Sequence, residues 1–161
     1  MNVSSQAEEQ VVVFQLNDQT YGIDIVSVRE IIRMEEITQI PGAPEFVEGI
    51  IKLRGGVIPV IDLNKRFGLA SSERTGQSRI VIVQVNDVTF GMIVDSVQEV
   101  LRIPTSNIEP PPSMVGRVDA AYLRGVAMLE DERLVILLDH TKILYDSEQE
   151  QLQEVEMELN Q

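Results

Sequence analysis

Residues 44–63 read PEFVEGIIKLRGGVIPVIDL, and the fold turns on how this stretch is read. Val47, Ile50, Ile51 and Leu53 lead into Arg54-Gly55-Gly56, and Val57, Ile58, Val60, Ile61 and Leu63 lead out. β-Branched residues on both sides suit a pleated, half-buried ribbon. The glycine pair is expected to supply the positive φ of a tight hairpin turn. Pro59 has no N–H to give to a ladder, so it belongs at an edge or a bulge. Arg54 stands at the turn with no acid within five residues on either side. Two readings of it stay open: an ion pair with a distant carboxylate of its own barrel, or a contact with a partner.

Around this hairpin the chain repeats itself. Residues 11–32 read as two strands and a continuation, turning at Asn17-Asp18; residues 80–101 match them without a gap, turning at Asn86-Asp87. Gln15 falls on Gln84, Tyr21 on Phe90, Gly22 on Gly91, Val28 on Val97 and Glu30 on Glu99. After a Pro-rich loop, Ala121–Gly125 answers Glu45–Gly49 and Leu134–Asp139 answers Val57–Asp62. Two copies of one all-β unit imply two similar barrels of about five strands, closed so that no edge is left open. The lobes are expected at about 11–70 and 79–145. Each alone is near the lower size limit for stability, so they should pack together with a groove between them.

Smaller signals complete this picture. Residues 1–10 read as a disordered lead and Ser71–Ser78 as an exposed linker. Asp62 and Asp139, repeat partners, each open a short helix as N-cap. Residues 146–161 read as an acidic C-terminal helix, with Ser147 and Glu150 as a capping box. Its narrow stripe of Leu152, Val155 and Leu159 either packs back on the barrels or serves a partner. On this pattern a chain ending at Tyr145 is expected to keep a folded core.

Composition narrows the function. The net charge is −13, and eight acids lie in the two tails without a Lys or Arg among them. No cluster of Lys and Arg offers a phosphate-binding face, which disfavours nucleic acid and anionic bilayers. There is no cysteine, hence no disulfide, thiolate zinc site or thiol nucleophile. Met1–Gln10 has no signal-peptide pattern, and no apolar run reaches the roughly 18 residues of a membrane span. The only histidine, His140, sits beside the N-cap Asp139, and Leu63 takes its place in the first copy. No phosphate-cradling glycine motif and no H-E-x-x-H occurs. No catalysis, metal or cofactor is expected. The copies differ where Arg54-Gly55-Gly56 is answered by the acidic Glu130-Asp131-Glu132-Arg133. This is either drift in exposed loops or an asymmetry in what each barrel binds.

Phe46-Val47-Glu48-Gly49-Ile50-Ile51-Lys52-Leu53-Arg54-Gly55, followed by Val57-Ile58-Pro59-Val60-Ile61-Asp62-Leu63, resembles the signature of the CheW family of chemotaxis coupling domains. Lys52 departs from it, since a small polar residue usually precedes L-R-G. The resemblance covers about residues 11–145 and implies an all-β fold of two SH3-like five-stranded barrels. It implies a non-enzymatic adaptor, without cofactors, that binds the cytoplasmic tip of a chemoreceptor and the regulatory domain of the histidine kinase CheA. The positions it carries over as partner-binding are Val28, Glu30, Gly49, Arg54 and Val57, with Gly91, Val97 and Val100 in the second copy. It also implies a cytoplasmic place, at the inner face of the membrane through receptor arrays. The alternatives are a double barrel binding a small molecule, or one serving other protein contacts in a non-flagellar array.

Overall fold

The computed structural model describes residues 7–70, 73–115 and 118–160. β1 (Glu8–Leu16) and β2 (Gln19–Asp24) form the first hairpin, and β3 (Val28–Arg33) follows a short 3-10 turn at Ile25–Ser27. β4 (Gly49–Leu53) and β5 (Gly56–Asp62) are the ribbon around Arg54, and α1 (Leu63–Arg66) follows at once. The second half runs β6 (Arg79–Val85), β7 (Val88–Val94), β8 (Ser96–Pro104), β9 (Ile108–Glu109), β10 (Met114–Val115), β11 (Val118–Asp119), β12 (Leu123–Met128) and β13 (Leu134–Leu138). It ends in α2 (Asp146–Leu159). The two Asn-Asp turns are true repeats: Asn17 and Asn86 both adopt the left-handed conformation, φ 56° and 55°, which asparagine tolerates better than most residues.

Two barrel-like sheets result. One has the order β3-β6-β7-β5-β4, the other β8-β1-β2-β13-β12-β9. Numbered by position within each copy, both read 3-1-2-5-4. In the first, the bridge Thr38↔Ile50 extends the sheet; in the second, the pairing Glu109↔Val126 through β9 does the same. The duplication is therefore structural as well as sequential.

The lobes, however, are not residues 11–70 and 79–145. The copies exchange their first hairpins: β1 and β2 join strands of the second copy, while β6 and β7 join β3, β4 and β5 of the first. Barrel 1 thus draws on residues 28–62 and 79–94, and barrel 2 on residues 8–24 and 96–138. The linkers explain the crossing. Ile25–Ser27 steps from barrel 2 to barrel 1, and the single residue Asp95 steps back. Neither half of the sequence holds a complete barrel.

The exchange places both faces of the first hairpins in apolar surroundings. Along β1, Val11 and Val13 fill barrel 2 with Ile103, Ala127, Val135 and Leu137. The alternate residues Val12, Phe14 and Leu16 face a third core shared between the barrels. β6 does likewise, with Ile80 and Ile82 inside barrel 1 and Val81, Val83 and Val85 in the shared core. Burial on both faces is why these strands read as unbroken valine and isoleucine. Tyr21 is fully buried in the shared core, and its hydroxyl has no hydrogen-bond partner among the described residues; burial pushes its pKa up.

Polar groups stitch the barrels together. The Asn64 amide donates to Asp95 Oδ1 at 2.9 Å, and the Asn17 amide donates to Asn64 Oδ1 at 3.1 Å. Asp62 and Asp139 cap as expected: Asp62 Oδ1 accepts from Asn64 N at 3.0 Å and Asp139 Oδ1 from Thr141 N at 3.0 Å.

The ends differ from expectation. β1 begins at Glu8 and pairs with β8 from Glu8↔Pro104 onward, so the lead is ordered by its ladder from there; residues 1–6 lie outside the described residues, as do Ser71 and Ser72 of the linker. α2 packs back across β5 and β7 and buries Leu152 in the shared core. Its capping group is Glu148, whose Oε1 accepts from Tyr145 N at 2.8 Å, not Ser147 with Glu150. The reason is tertiary. Glu148 is held there by Arg66, whose Nη1 donates to Oε2 at 2.7 Å. Arg66 is 10% exposed and Glu148 15%. The guanidinium also donates to Ile143 O at 2.9 Å and lies 5.2–5.9 Å from the rings of Tyr145, Tyr122 and Phe46. This one cation joins α1, barrel 2 and the helix.

Candidate protein-interaction surface

The β4–β5 connection is a two-residue turn, Arg54-Gly55, closed by the pair Leu53↔Gly56. Its positive φ values belong to Arg54 (50°) and Gly55 (83°). The expected glycine pair is therefore shifted by one, and Gly56 is the first residue of β5. A left-handed arginine is uncommon. Here the side chain leaves the turn into solvent, 77% exposed, and meets Glu30 Oε1 at 3.1 Å.

That contact has a twin. In barrel 2, Arg133 Nη1 meets Glu99 Oε2 at 3.2 Å, and Glu99 is the repeat partner of Glu30. Of the two readings of Arg54 the ion pair within its own barrel is met, while the guanidinium stays 77% exposed. The twin is more occupied. Arg133 Nε also meets Asp131 Oδ2 at 2.7 Å, and the hydrogen bonds it donates to Asp131 and Glu99 raise its pKa. Asp131, one of the acids that answer the first turn, adds a second carboxylate to that cation, whereas among the described residues Arg54 pairs with Glu30 alone.

Glu30, Arg54 and Val57 gather at one end of barrel 1. Val57 is half-buried, and its backbone is held by Asn160 of α2: Val57 N donates to Asn160 Oδ1 at 2.8 Å and Asn160 Nδ2 donates to Val57 O at 2.9 Å. Val28, at the start of β3, and Val97, near the start of β8, both pack against the shared core. Val100 is 50% exposed on β8, opposite Val12 of β1.

Gly49 and Gly91 do not form part of an exposed surface. A Cβ on Gly49 would lie 2.5 Å from Ile37 Cγ2 and 2.6 Å from Thr38 O. One on Gly91 would lie 2.6 Å from Ile80 Cγ2. Both are buried and are glycines because another segment passes close by. A Cβ on Gly125, the repeat of Gly49, would likewise lie 2.7 Å from Glu109 O.

A polar recess flanks α1. Lys65 Nζ meets Glu48 Oε1 at 2.8 Å and Arg74 Nη2 meets Glu48 Oε2 at 3.0 Å. Burial pushes the Glu48 carboxyl up, but the hydrogen bonds and charges of Lys65 and Arg74 outweigh it and hold the pKa below its ordinary value. Sequence reasoning missed Asn160 and Arg66. No local signal marks either, since Asn160 meets Val57 across 103 residues and Arg66 meets Glu148 across 82.

A family model described as the CheW-like domain matches residues 10–148. The chain belongs to the CheW family. It is similar to the chemotaxis protein CheW of Treponema pallidum (strain Nichols), 36% identical over 135 residues, 81% of this chain and 79% of that protein. It is also similar to the chemotaxis protein CheW of Bacillus subtilis (strain 168), 33% identical over 144 residues, 89% and 92% of the two chains. Among solved structures, the scaffolding protein TtCheW from Thermoanaerobacter tengcongensis superposes with a TM-score of 0.76 at 44% identity, covering 83% of this chain and 90% of that one. The all-β double barrel and the chemotaxis scaffold role expected from the Phe46–Leu63 signature are those of this family.

Proposed function

We infer that this chain is a non-enzymatic coupling protein that links chemoreceptor cytoplasmic tips to the regulatory domain of the histidine kinase CheA. The observation that carries the reading is the unequal pair of equivalent turns on one double barrel. Among the described residues the exposed Arg54 pairs with Glu30 alone, while Arg133 is bound by two acids. A coupler must hold two partners at once on different surfaces, and barrels of the same build but different charge provide such surfaces. Receptor binding uses Val28, Glu30, Arg54 and Val57 of barrel 1 with Val97 and Val100 of β8; the kinase binds through barrel ends. Gly49 and Gly91 serve it only by shaping the strands. The protein acts in the cytoplasm and reaches the inner face of the membrane through the receptors. No helix among the described residues is long and apolar enough to cross a membrane.

The test is titration calorimetry against the isolated CheA regulatory domain from the same organism at moderate salt. One-to-one binding at about 1 µM or tighter supports the role. A folded protein that does not bind removes the kinase as partner, and a thermal-shift screen against metabolites then examines the small-molecule alternative.

A further inference from the structure

Beside Arg54, β5 has a free edge. Its parallel neighbour β7 pairs only with Val60–Asp62, and Pro59, without an N–H, cannot extend that ladder. The Val57 N–H and C=O are met instead by a side chain, the Asn160 carboxamide, at 2.8 and 2.9 Å. Asn160 is the C-cap of α2, and its Nδ2 also donates to Glu156 O at 2.8 Å. Leu159 and Asn160 line a recess with Lys52, Gly55, Gly56 and Val57.

Charge fits this seat. The last turn of α2 contains no basic residue, and Glu156 and Glu158 precede Asn160. The negative end of the helix macrodipole therefore lies beside Lys52, two residues from Arg54. The repeat supplies a control: Leu134, which answers Val57, is exposed, and no side-chain amide among the described residues meets its backbone.

We propose that the last turn of α2 is an internal occupant of the Arg54–Val57 surface, which an acidic, carboxamide-bearing partner helix must displace to dock there. This rests on the receptor-binding role inferred above. A helix that covers the β5 edge has no backbone groups to spare, and burying Val57 N–H and C=O unpaired is costly. The incoming helix must therefore present an Asn or Gln side chain where Asn160 was. Acids near it suit Lys52 and Arg54 for the same reason that the acidic end of α2 does. The tail then sets the affinity of the free protein, because binding is weakened by the fraction of molecules in which the seat is taken.

The experiment compares the full chain with Asn160→Ala and with Gly56→Cys/Asn160→Cys. The double variant draws on a chain with no cysteine of its own and a Gly56 Cβ position 3.2 Å from Asn160 Oδ1. The probe is the helical cytoplasmic tip of a chemoreceptor from the same genome, with hydrogen exchange of the Val57 amide measured alongside. Asn160→Ala should speed Val57 exchange and tighten tip binding by about fivefold to tenfold. The oxidised double variant should bind at least tenfold more weakly and recover on reduction. If the wild type binds the tip and the oxidised variant binds equally well, the displacement is refuted while receptor binding stands. Unchanged or weaker binding by Asn160→Ala, with Val57 exchange sped up, refutes it too. If no form binds the tip, the receptor reading fails and this inference with it.

Discussion

Replacing Arg54 by Glu separates a binding residue from a structural one. The Arg54–Glu30 pair is 3.1 Å long, with side chains 77% and 24% exposed. Exposed pairs of this kind contribute about 0.2–1 kcal/mol. Charge reversal adds repulsion from Glu30, but at about 4 Å in water two unit charges interact by only about 1 kcal/mol, and an exposed side chain can swing away. The loss is expected at about 1 kcal/mol, or a fall in Tm of about 2–4 °C for a chain of this size. Urea and thermal unfolding measure that cost, and calorimetry with the receptor tip measures binding, which should be abolished. Arg54→Asn is the companion variant. Asparagine tolerates the left-handed turn at φ 50° and removes the charge, so it should keep or raise Tm and still lose binding. A stability loss above about 3 kcal/mol for Arg54→Glu would make Arg54 a structural residue, since only buried pairs cost that much when one partner is removed. Wild-type affinity in both variants would remove Arg54 from the site.

Three further outcomes follow from the packing. Tyr21→Phe should stabilise the protein by about 1 kcal/mol in urea unfolding, because it removes a buried hydroxyl that has no partner, and the repeat already holds Phe90 there; a loss of stability would mean that the hydroxyl is satisfied. A chain ending at Tyr145 should fail to fold cooperatively, contrary to the bare sequence pattern, since it loses the fully buried Leu152 and leaves Arg66 without Glu148; Leu152→Ala alone should cost about 2–5 kcal/mol. Glu48, whose folded pKa lies below its ordinary 4.5, contributes stability above that pH and loses it as pH falls through the folded value; stability measured from about pH 5 down to about pH 2 should therefore fall less steeply in Glu48→Gln than in the wild type.

Much of the surface was legible from residues alone. The Phe46–Leu63 stretch named the family, the hairpin and the exposed cation. The offset between Asn17-Asp18 and Asn86-Asp87 announced two equivalent barrels, and Asp62 and Asp139 announced their caps. The burial of Gly49 and Gly91 was not legible, because a glycine required by a close neighbour and one that admits a ligand look the same in sequence. Glu148 was overlooked as the cap because its position is decided by Arg66, 82 residues away.

Local pattern determined which residues form strands, where they turn and which faces are apolar, because those depend on side-chain period and backbone preference within a few residues. It could not decide which copy's hairpin completes which barrel. The two hairpins carry nearly the same apolar pattern, so pairing within a copy and pairing across copies satisfy the same local rules. Only the assembled chain, with β2 running through Ile25–Ser27 into the opposite barrel and β7 crossing back at Asp95, resolves that choice. The same holds for Asn160 on Val57: contacts over 103 residues are set by where whole elements pack, and no local pattern records them.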